Sequence, residues 1–259
     1  MKLEYNLITM TKTALITGAT SGIGEATAYE FAKQGLNLIL CGRRLDRLNT
    51  IQKALERLTN VHVLNFDISD KEATFTAITS LPRKFKQIDI LINNAGNAHG
   101  LDPINEGSIE DWDAMLDINV KGLLYISKAI IPQMTERKSG HIINIGSSAG
   151  KEVYAKGNVY CASKHAVLAI TEGMRIDLNP FGIKVGSVNP GMVETEFSQV
   201  RFKGDPIADT IYNGFKALEA KDVAEVLYFV ISRPAHVNIA DLLVFPTAQA
   251  KSGVVKKDL

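Results

Sequence analysis

The sequence predicts a single α/β domain over residues 1–259, built on a doubly wound parallel sheet with helices on both faces. Short runs rich in Ile, Leu and Val alternate with longer helical patterns, which is typical of strand–helix–strand units. Most of these runs are continuously apolar, as expected for strands that are buried on both faces. The length of 259 residues suits one such domain, and neither a repeat nor a linker divides the chain.

Seven apolar runs are candidate strands, and helical patterns of ten or more residues separate them. The candidate strands are Thr13–Thr17, Asn37–Cys41, Val61–Phe66, Ile88–Ile92, His141–Ile145, Ile183–Val188 and Ile239–Phe245. Two long helical patterns, Asp111–Arg137 and Asn158–Asn179, are apolar on more than one face. One face should cover the sheet, and the other should meet a partner subunit in a homotetramer or a homodimer, unless one broad contact with the sheet accounts for both.

The segment Glu194–Leu218 differs from the rest of the chain, because it fits no strand and only a short helix. It follows the sixth candidate strand, and open α/β sheets bind ligands beyond the carboxyl ends of their strands. We therefore expect this segment to be a lid or loop over a substrate site.

The charge balance and the cysteines exclude several classes of protein. Lys and Arg total 29 and Asp and Glu total 28, so the net charge of +1 offers no electrostatic case for binding nucleic acid or an anionic membrane. Cys41 and Cys161 form no redox or metal-ligand motif, so a cytoplasmic protein without a bound metal is expected. Residues 1–10 lack the apolar core of a signal peptide, and no run approaches the roughly 20 apolar residues of a membrane helix.

A glycine-rich loop follows the first candidate strand. The stretch T-G-A-T-S-G-I-G contains Gly18, Gly22 and Gly24, and a helix begins near Ile23. Glycines permit a tight turn and let backbone N–H groups approach a pyrophosphate at the helix N-terminus. A plain strand-to-helix turn is the alternative, but the position after the first strand favours a nucleotide site.

The end of the second strand bears on the choice of cofactor. NAD-specific proteins tend to place an acid there, which bonds the ribose 2′-hydroxyl. This chain has Gly42, Arg43 and Arg44 instead, and a guanidinium suits the 2′-phosphate of NADP. Two solvated arginines at a helix start are the alternative, and Thr20 supplies no second basic group from the glycine loop. The sequence favours NADP.

Three Tyr-x-x-x-Lys patterns place a phenol and an ammonium one helical turn apart. They are Tyr29 with Lys33, Tyr160 with Lys164, and Tyr212 with Lys216. Only Tyr160 has a serine 13 positions earlier, Ser147, just past the strand His141–Ile145. An ammonium lowers the pKa of a phenol from its usual value of about 10, and a serine hydroxyl can hold the substrate oxygen beside it. Tyr160 is thus the candidate general acid or base, and surface pairing is the interpretation of the other two patterns.

These motifs occur in order along nearly the whole chain, and together they resemble the short-chain dehydrogenase/reductase family. The resemblance lies in T-G-A-T-S-G-I-G, Asn93–Gly96, Asn119 in D-I-N-V-K-G, Ser147, Tyr160–Lys164 and Pro190–Gly191. It implies a Rossmann-like fold and an oxidoreductase that acts on CH–OH groups. The stretches I-N-I-G-S-S-A-G, T-E-F-S-Q-V-R-F-K-G-D and R-P-A-H-V-N-I resemble the NADP-dependent 3-hydroxy acid dehydrogenases, also described as serine or L-allo-threonine dehydrogenases.

The family resemblance implies a catalytic set of four residues. Tyr160 would be the general acid or base, Lys164 would tune it, and Ser147 would orient the substrate oxygen. Asn119 would hold a water in a proton relay through Lys164. Ser148 is the rival of Ser147, but the spacing to Tyr160 favours Ser147.

The resemblance also implies a set of residues along NADP. They are Gly18, Thr20, Ser21, Gly22, Ile23, Gly24, Arg43, Arg44, Asp67, Ile68, Asn94, Ala95, Gly96, Tyr160, Lys164, Pro190, Gly191, Val193 and Thr195. Within this set, Asp67 would bond the adenine and Lys164 the nicotinamide ribose. Pro190, Val193 and Thr195 would lie along the nicotinamide.

The expected substrate is a small 3-hydroxy acid, such as serine, L-allo-threonine, 3-hydroxyisobutyrate or 3-hydroxypropionate. Ser147 and Tyr160 would bind its hydroxyl, and the planar guanidinium of Arg201 would grip its carboxylate. Lys203 is the competitor for that role, and a plain loop-capping role for Arg201 is the other alternative. Two other functions stay open: a 3-oxoacyl-thioester reductase, which R-F-K-G-D disfavours, and a non-catalytic NADP-sensing protein.

Overall fold

The computed structural model describes residues 11–258, so the N-terminal segment for which no signal peptide was predicted lies outside the described residues. The strands are β1 (Thr13–Thr17), β2 (Asn37–Gly42), β3 (Val61–Asn65), β4 (Ile90–Asn93), β5 (His141–Ile145), β6 (Lys184–Pro190), β7 (Val193–Glu194), β8 (Leu218–Glu219), β9 (Asp241–Val244), β10 (Gln249–Lys251) and β11 (Val254–Val255). The α-helices are α1 (Gly22–Lys33), α2 (Leu45–Leu55), α3 (Lys71–Thr79), α4 (Ile109–Leu116), α5 (Leu123–Arg137), α6 (Asn158–Leu178), α7 (Phe197–Arg201) and α8 (Ala220–Ile231).

The main sheet has seven parallel strands in the order β3-β2-β1-β4-β5-β6-β9. The predicted fold class is confirmed, and each of the seven candidate strands supplies one strand of this sheet. Ile88 was assigned to the fourth strand, but β4 begins at Ile90. Ile88 stays outside the ladder because its backbone N–H donates to the side chain of Gln133 at 2.9 Å.

Successive residues of the central strands enter different apolar cores. Ala14 and Ile16 of β1 belong to the core that contains α1, α2 and α8. Leu15 belongs to the second core, which contains residues of α3, α5 and α6. Burial of both faces explains why the central strands read as continuous apolar runs, since each fully buried aliphatic side chain contributes roughly 1.5–3 kcal/mol.

The predicted helix Asp111–Arg137 is interrupted. Its place is taken by α4, a wide π-helical turn at Asp117–Gly122, and α5. Turns of this type are rare and often lie at functional sites, and apolar periodicity does not reveal them. The wide turn contains Asn119, which is buried beneath the carboxyl ends of the strands.

The expectation that Glu194–Leu218 contains no strand is wrong at both ends of the segment. Strands β7 and β8 pair in parallel, with Val193 opposite Leu218, so the ends of the lid are joined. Between them lie α7 and a 3₁₀ turn at Pro206–Thr210. A pairing of two-residue strands forms only because the tertiary fold brings the two ends of the lid together. Strands this short leave no periodic pattern in the sequence.

No helix within residues 11–258 is both long and apolar enough to cross a bilayer.

Candidate active site

A cavity of about 580 Å³ lies at the carboxyl ends of the central strands, a volume in the usual range for ligand sites. Strands β1 and β4 are neighbours here although β2 and β3 lie between them in the chain, so the cavity lies at the switch point of the sheet. Of the predicted site residues, all but Gly24 and Asn119 line this cavity.

The glycine loop brings backbone segments unusually close together. Gly18 has φ +64°, and a Cβ atom there would lie 2.9 Å from the Cα of Ala95 in the loop after β4. Gly24 faces away from the cavity, and a Cβ atom on it would lie 2.3 Å from the carbonyl oxygen of Gly18. The first glycine thus shapes a cradle at the N-terminus of α1, and the third lets the helix pack against the strand.

Gly24→Ala is expected to lower the melting temperature and the nucleotide affinity together. The added Cβ overlaps backbone that cannot move aside, which costs about 1–3 kcal/mol. Each kcal/mol lowers the Tm of a chain of this length by about 2–4 °C. The control is Gly173→Ala in α6, where a Cβ meets nothing within 4 Å, so the Tm should stay the same or rise. Equal Tm values for the two variants would contradict this role of Gly24.

The two arginines after β2 are held in different ways. Arg43 lies 3.3 Å from the carboxylate of Asp67. Arg44 donates to the hydroxyl of Thr20 at 2.9 and 3.1 Å and to the hydroxyl of Ser21 at 2.7 Å. Arg44 is therefore attached to the glycine loop and is not simply solvated.

Glu196, at the start of α7, joins the lid to this arginine cluster. Its carboxylate accepts from Arg44 at 2.8 Å and from Arg47 at 2.5 Å. The hydrogen bonds from Arg44 and Arg47 hold the pKa of Glu196 below its ordinary value. The carboxylate thus stays ionised at neutral pH.

The position of Tyr160 depends on α6, which begins at Asn158. Tyr160 lies in the first turn of this helix and Lys164 one turn later, and both side chains are more than nine-tenths buried. Ser147 follows β5, and its hydroxyl lies close enough to the phenol of Tyr160 to influence the pKa of that phenol. Its own oxygen accepts from the backbone N–H of Ala149 at 3.1 Å.

The electrostatics of this pair differ from the simple expectation. Burial raises the pKa of Tyr160, the neighbouring Tyr154 adds to the rise, and the nearby hydroxyl of Ser147 opposes it. Burial lowers the pKa of Lys164 to about 8. Its ammonium donates to the carbonyl of Ile145 at 3.0 Å, which partly replaces the water it has lost. Lys164 was expected to lower the pKa of the phenol, but in this structure its charge is directed at a carbonyl.

Asn119 lies behind the cavity wall and braces the loop after β4. Its Nδ2 donates to the carbonyl of Asn97 at 2.9 Å and to the hydroxyl of Ser163 at 3.0 Å. Its Oδ1 accepts from the backbone N–H of Asn97 at 2.8 Å. A Cβ atom on Gly96 would lie 3.1 Å from this oxygen and 3.5 Å from Lys164 Nζ. The side chains of Asn119 and Lys164 therefore both lie next to Gly96.

Arg201, the last residue of α7, lies beside Tyr160. Its Nε donates to the carbonyl of Gly100 at 3.1 Å, and one Nη donates to the hydroxyl of Tyr154 at 2.9 Å. The guanidinium carbon lies 5.5 Å from the centre of the Tyr160 ring. Because a guanidinium has five N–H donors, the outer edge of this group still has donors to offer. Lys203 instead pairs with Asp111 at 2.9 Å.

The other two Tyr-x-x-x-Lys patterns lack this environment. Tyr29 packs against the apolar core, and the side chain of Lys33 is 59% exposed. Tyr212 donates to a backbone carbonyl at the start of the lid, and the side chain of Lys216 is 86% exposed. Within residues 11–258, no three His, Cys, Asp or Glu side chains converge as metal ligands.

Comparison with known proteins decides the family. Residues 12–205 match the family model described as short chain dehydrogenase. This chain belongs to the short-chain dehydrogenase family. The expected enzyme class, an oxidoreductase of CH–OH groups, is thereby confirmed.

Relatives of this short-chain dehydrogenase match it over nearly their whole length. An NADP-dependent 3-hydroxy acid dehydrogenase of Escherichia coli O6:H1 is 44% identical over 242 residues, which cover 93% of this chain and 97% of that protein. Sulfoacetaldehyde reductase 2 of Chromohalobacter salexigens is 42% identical over 245 residues, covering 94% and 97%. A solved structure, the closed form of serine dehydrogenase complexed with NADP+, has a TM-score of 0.89 at 42% identity and covers 95% of this chain and 100% of that one.

Four residues that the sequence did not single out contribute to this site of the dehydrogenase. They are Asn97, Tyr154, Ser163 and Glu196. Tyr154 lies between Ser147 and Tyr160 in the chain, so its position in that segment was the one available signal.

Proposed function

We propose that this dehydrogenase interconverts small 3-hydroxy acids with their 3-oxo acids or semialdehydes, using NADP and Tyr160 as the acid or base. One observation carries the proposal: the Ser147–Tyr160 pair and the Arg201 guanidinium occupy the same cavity. Such a site joins a proton-transfer group to an anion-binding group. The printed names of the relatives, a 3-hydroxy acid dehydrogenase and a serine dehydrogenase, support the same substrate class.

The residues present fit NADP. The close backbone approach at Gly18 leaves a cradle at the N-terminus of α1, where N–H groups suit a pyrophosphate. Arg43 and Arg44 supply positive charge for a 2′-phosphate, and Gly42 stands where NAD-specific proteins tend to place an acid. The bound cofactor supplies or accepts the hydride. Relatives described as NADP-dependent or as NADP complexes support this cofactor.

The proton transfer is assigned to the hydroxyls of Ser147 and Tyr160, which lie near the N-terminus of α6. Ser147 and Tyr160 hold the oxygen of the substrate between them. In the oxidation, Tyr160 takes the hydroxyl proton; in the reduction, it returns a proton to the same oxygen. The family resemblance assigns to Lys164 the stabilisation of the phenolate, although its ammonium bonds the carbonyl of Ile145 in this structure, and to Asn119 the support of the relay that exchanges the proton with solvent.

Arg201 is assigned to the carboxylate of the substrate. A small 3-hydroxy acid has few other polar groups, and a guanidinium can bind a carboxylate through two parallel hydrogen bonds. Serine, L-allo-threonine, 3-hydroxyisobutyrate and 3-hydroxypropionate all carry this group with one carbon between it and the reacting carbon. The pairing of Lys203 with Asp111 favours Arg201 over Lys203 for this role.

Two alternatives are tested by the same assay. A 3-oxoacyl-thioester reductase would require entry for a carrier-bound chain, and the lid tied by β7 and β8 disfavours it. A non-catalytic NADP-sensing protein would bind the cofactor without turnover. Absorbance of the reduced nicotinamide, followed with 3-hydroxy acids, acyl thioesters and no substrate, distinguishes the three functions.

Gly42→Asp combined with Arg43→Ala is expected to reverse the preference from NADP to NAD. A charge-assisted phosphate contact contributes about 1.5–3 kcal/mol, which is roughly 10- to 150-fold in affinity. The new carboxylate would both repel the 2′-phosphate and accept from a free 2′-hydroxyl. The matched control is Arg43→Lys, which keeps the charge and should keep the preference. A wild-type chain that uses NAD at least as efficiently as NADP would contradict the assignment.

We further propose a cytoplasmic homotetramer, with a homodimer as the alternative. Leu116, Leu124 and Ile176 are large apolar side chains exposed on α4, α5 and α6, which suits contacts between subunits. Cys41 and Cys161 are both buried free thiols, which suits a reducing compartment. Light scattering of the purified chain measures the assembly state.

A further inference from the structure

The C-terminal part of the chain returns to the active site, and the proposed function gives it no role. After β9 the chain forms a hairpin of β10 and β11, which pair in antiparallel orientation. Gln249 and Ser252 of this C-terminal hairpin line the same cavity as Ser147 and Tyr160. The hairpin is therefore part of the wall of the site, and the residues that follow it contact the lid, Glu194–Leu218.

The C-terminal hairpin is anchored on two sides of the cavity. On one side, Gln249 is buried, and its Oε1 accepts from the backbone N–H of Met192 at 2.8 Å, in the loop after β6. On the other side, the backbone N–H of Ser252 donates to the carboxylate of Glu152 at 3.0 Å. The backbone N–H of Glu152 in turn donates to the carbonyl of Ser148 at 3.1 Å, in the turn after β5. The hairpin thus has a fixed position relative to the ends of both strands.

Two residues beyond the hairpin, Lys257 and Asp258, contact the second half of the lid. The backbone N–H of Asp258 donates to the carbonyl of Gly214 at 2.7 Å. Lys257 Nζ donates to the carbonyl of Ile211 at 3.4 Å and lies 5.7 Å from the centre of the Phe215 ring. Gly214 has φ +82°, and a Cβ atom on it would lie 3.0 Å from the carbonyl oxygen of Asp258. The two backbone segments are therefore in close contact.

The part of the lid that these two residues contact forms a wall of the cavity, since Ile211 and Tyr212 line it. The pairing of β7 with β8 joins the two ends of the lid, and contacts of Glu196 and Arg201 hold its first half at α7. The C-terminal contacts attach the second half. When the lid is closed in only a fraction of the molecules, the apparent dissociation constant of the substrate rises by the inverse of that fraction.

We propose that Lys257 and Asp258 are positioning residues that hold the lid closed over the bound hydroxy acid, with the C-terminal hairpin as their anchor. The inference rests on the proposed function, in which Arg201 of the lid binds the carboxylate. Glu196, which bonds the arginines beside the glycine loop, lies at the start of the lid, away from these contacts. Loss of the C-terminal contacts should therefore raise the KM for the hydroxy acid much more than the Kd for NADP.

The test compares two substitutions at Asp258 in the full-length chain. Asp258→Pro removes the backbone N–H that bonds Gly214, whereas Asp258→Ala keeps that N–H and removes only an exposed carboxylate. Asp258→Pro should raise the KM for serine and 3-hydroxypropionate roughly 2- to 10-fold, which corresponds to one hydrogen bond of about 0.5–1.5 kcal/mol. The kcat and the affinity for NADP should stay near the wild-type values, and Asp258→Ala should match the wild type throughout.

A second pair of variants tests the side-chain contact. Lys257→Met removes the ammonium beside Ile211 and Phe215, keeps an unbranched side chain, and should also raise the KM. Its matched control is Lys256→Met, because the Lys256 ammonium pairs with Asp258 at 3.6 Å rather than with the lid. This control should leave the KM unchanged.

Hydrogen–deuterium exchange measures the opening of the lid without any substrate. In the NADP complex, Asp258→Pro and a chain that stops after Lys256 should both exchange faster than the wild type in a lid peptide that contains Ile211 and Gly214. Exchange in β1 should be unchanged, which also shows that the variants fold.

Unchanged KM and unchanged lid exchange in Asp258→Pro and Lys257→Met would overturn the inference, because the lid would then stay closed without the C-terminal contacts. Faster lid exchange with an unchanged KM would also overturn it, because opening of the lid would not limit substrate binding. A wild-type chain that turns over neither acid would contradict the proposed function. The exchange measurement would then decide by itself whether the C-terminal residues hold the lid.

Discussion

Tyr160→Phe is expected to lower kcat by about 10²–10⁴-fold, the usual contribution of a positioned general acid or base. The substitution removes one oxygen from a side chain that is 8% exposed, so the packing of α6 should survive. Cofactor affinity should stay within a few-fold of the wild type, because the ring and Lys164 remain. Steady-state turnover and cofactor fluorescence titration measure the two quantities separately.

The matched control is Tyr29→Phe, which makes the same change in another Tyr-x-x-x-Lys pattern. Tyr29 packs against the apolar core of the sheet and should be neutral for turnover. Tyr212→Phe is a weaker control, since the Tyr212 hydroxyl bonds within the lid at 2.8 Å. Near-normal turnover of Tyr160→Phe would contradict the assignment of proton transfer to this residue.

Arg201→Ala is expected to lower kcat/KM for serine and 3-hydroxypropionate by tens- to thousands-fold. Removal of one partner of a desolvated charge pair costs about 2–5 kcal/mol. A similar alcohol without the carboxylate should show little loss, and NADP affinity should barely change. Kinetics on matched acid and neutral substrates make the comparison.

Two control variants accompany Arg201→Ala. Lys203→Ala removes a positive charge two residues away that pairs with Asp111 at the surface, so it should have a small effect on either substrate. Arg201→Lys keeps the charge but loses the planar fork, and it should recover only part of the activity on acids. Equal losses of Arg201→Ala on acid and neutral substrates would mean that Arg201 orders the lid through Gly100 and Tyr154.

The main sheet was predictable because its signal is local. A strand such as β1, buried on both faces, requires an unbroken apolar run, and that run is visible in a single sequence. The pairing of β7 with β8 and the wide turn at Asn119 have no such signature. The β7–β8 pairing depends on how the tertiary fold brings the two ends of the lid together. The wide turn depends on how α4 and α5 join.

The candidate site divides in the same way. The spacing of Tyr160 and Lys164 and the glycine loop after β1 are short-range patterns, and Tyr160, Lys164 and Gly18 line one cavity. The contacts made by the lid join distant parts of the chain: Glu196 reaches Arg44, and Arg201 reaches Tyr154. No local pattern could show these pairs, because each depends on how the lid packs over the sheet.

The direction of the Lys164 ammonium was missed for a related reason. Sequence spacing shows that a lysine lies one turn from Tyr160, but it does not show which acceptor a buried ammonium meets first. The carbonyl of Ile145 at the end of β5 is that acceptor. Burial alone then moves the pKa of Lys164 down to about 8, without an acidic partner.

Activity of the purified chain with NADP and a small 3-hydroxy acid tests the account most directly. The absorbance of the reduced nicotinamide is followed with serine, glycerate or 3-hydroxypropionate, with NADP or NAD, and with an acyl thioester in the reverse direction. We expect NADP-dependent turnover of a hydroxy acid, little activity with NAD, and loss of turnover in Tyr160→Phe. Turnover confined to the acyl thioester, or cofactor binding without turnover of any substrate, would contradict it.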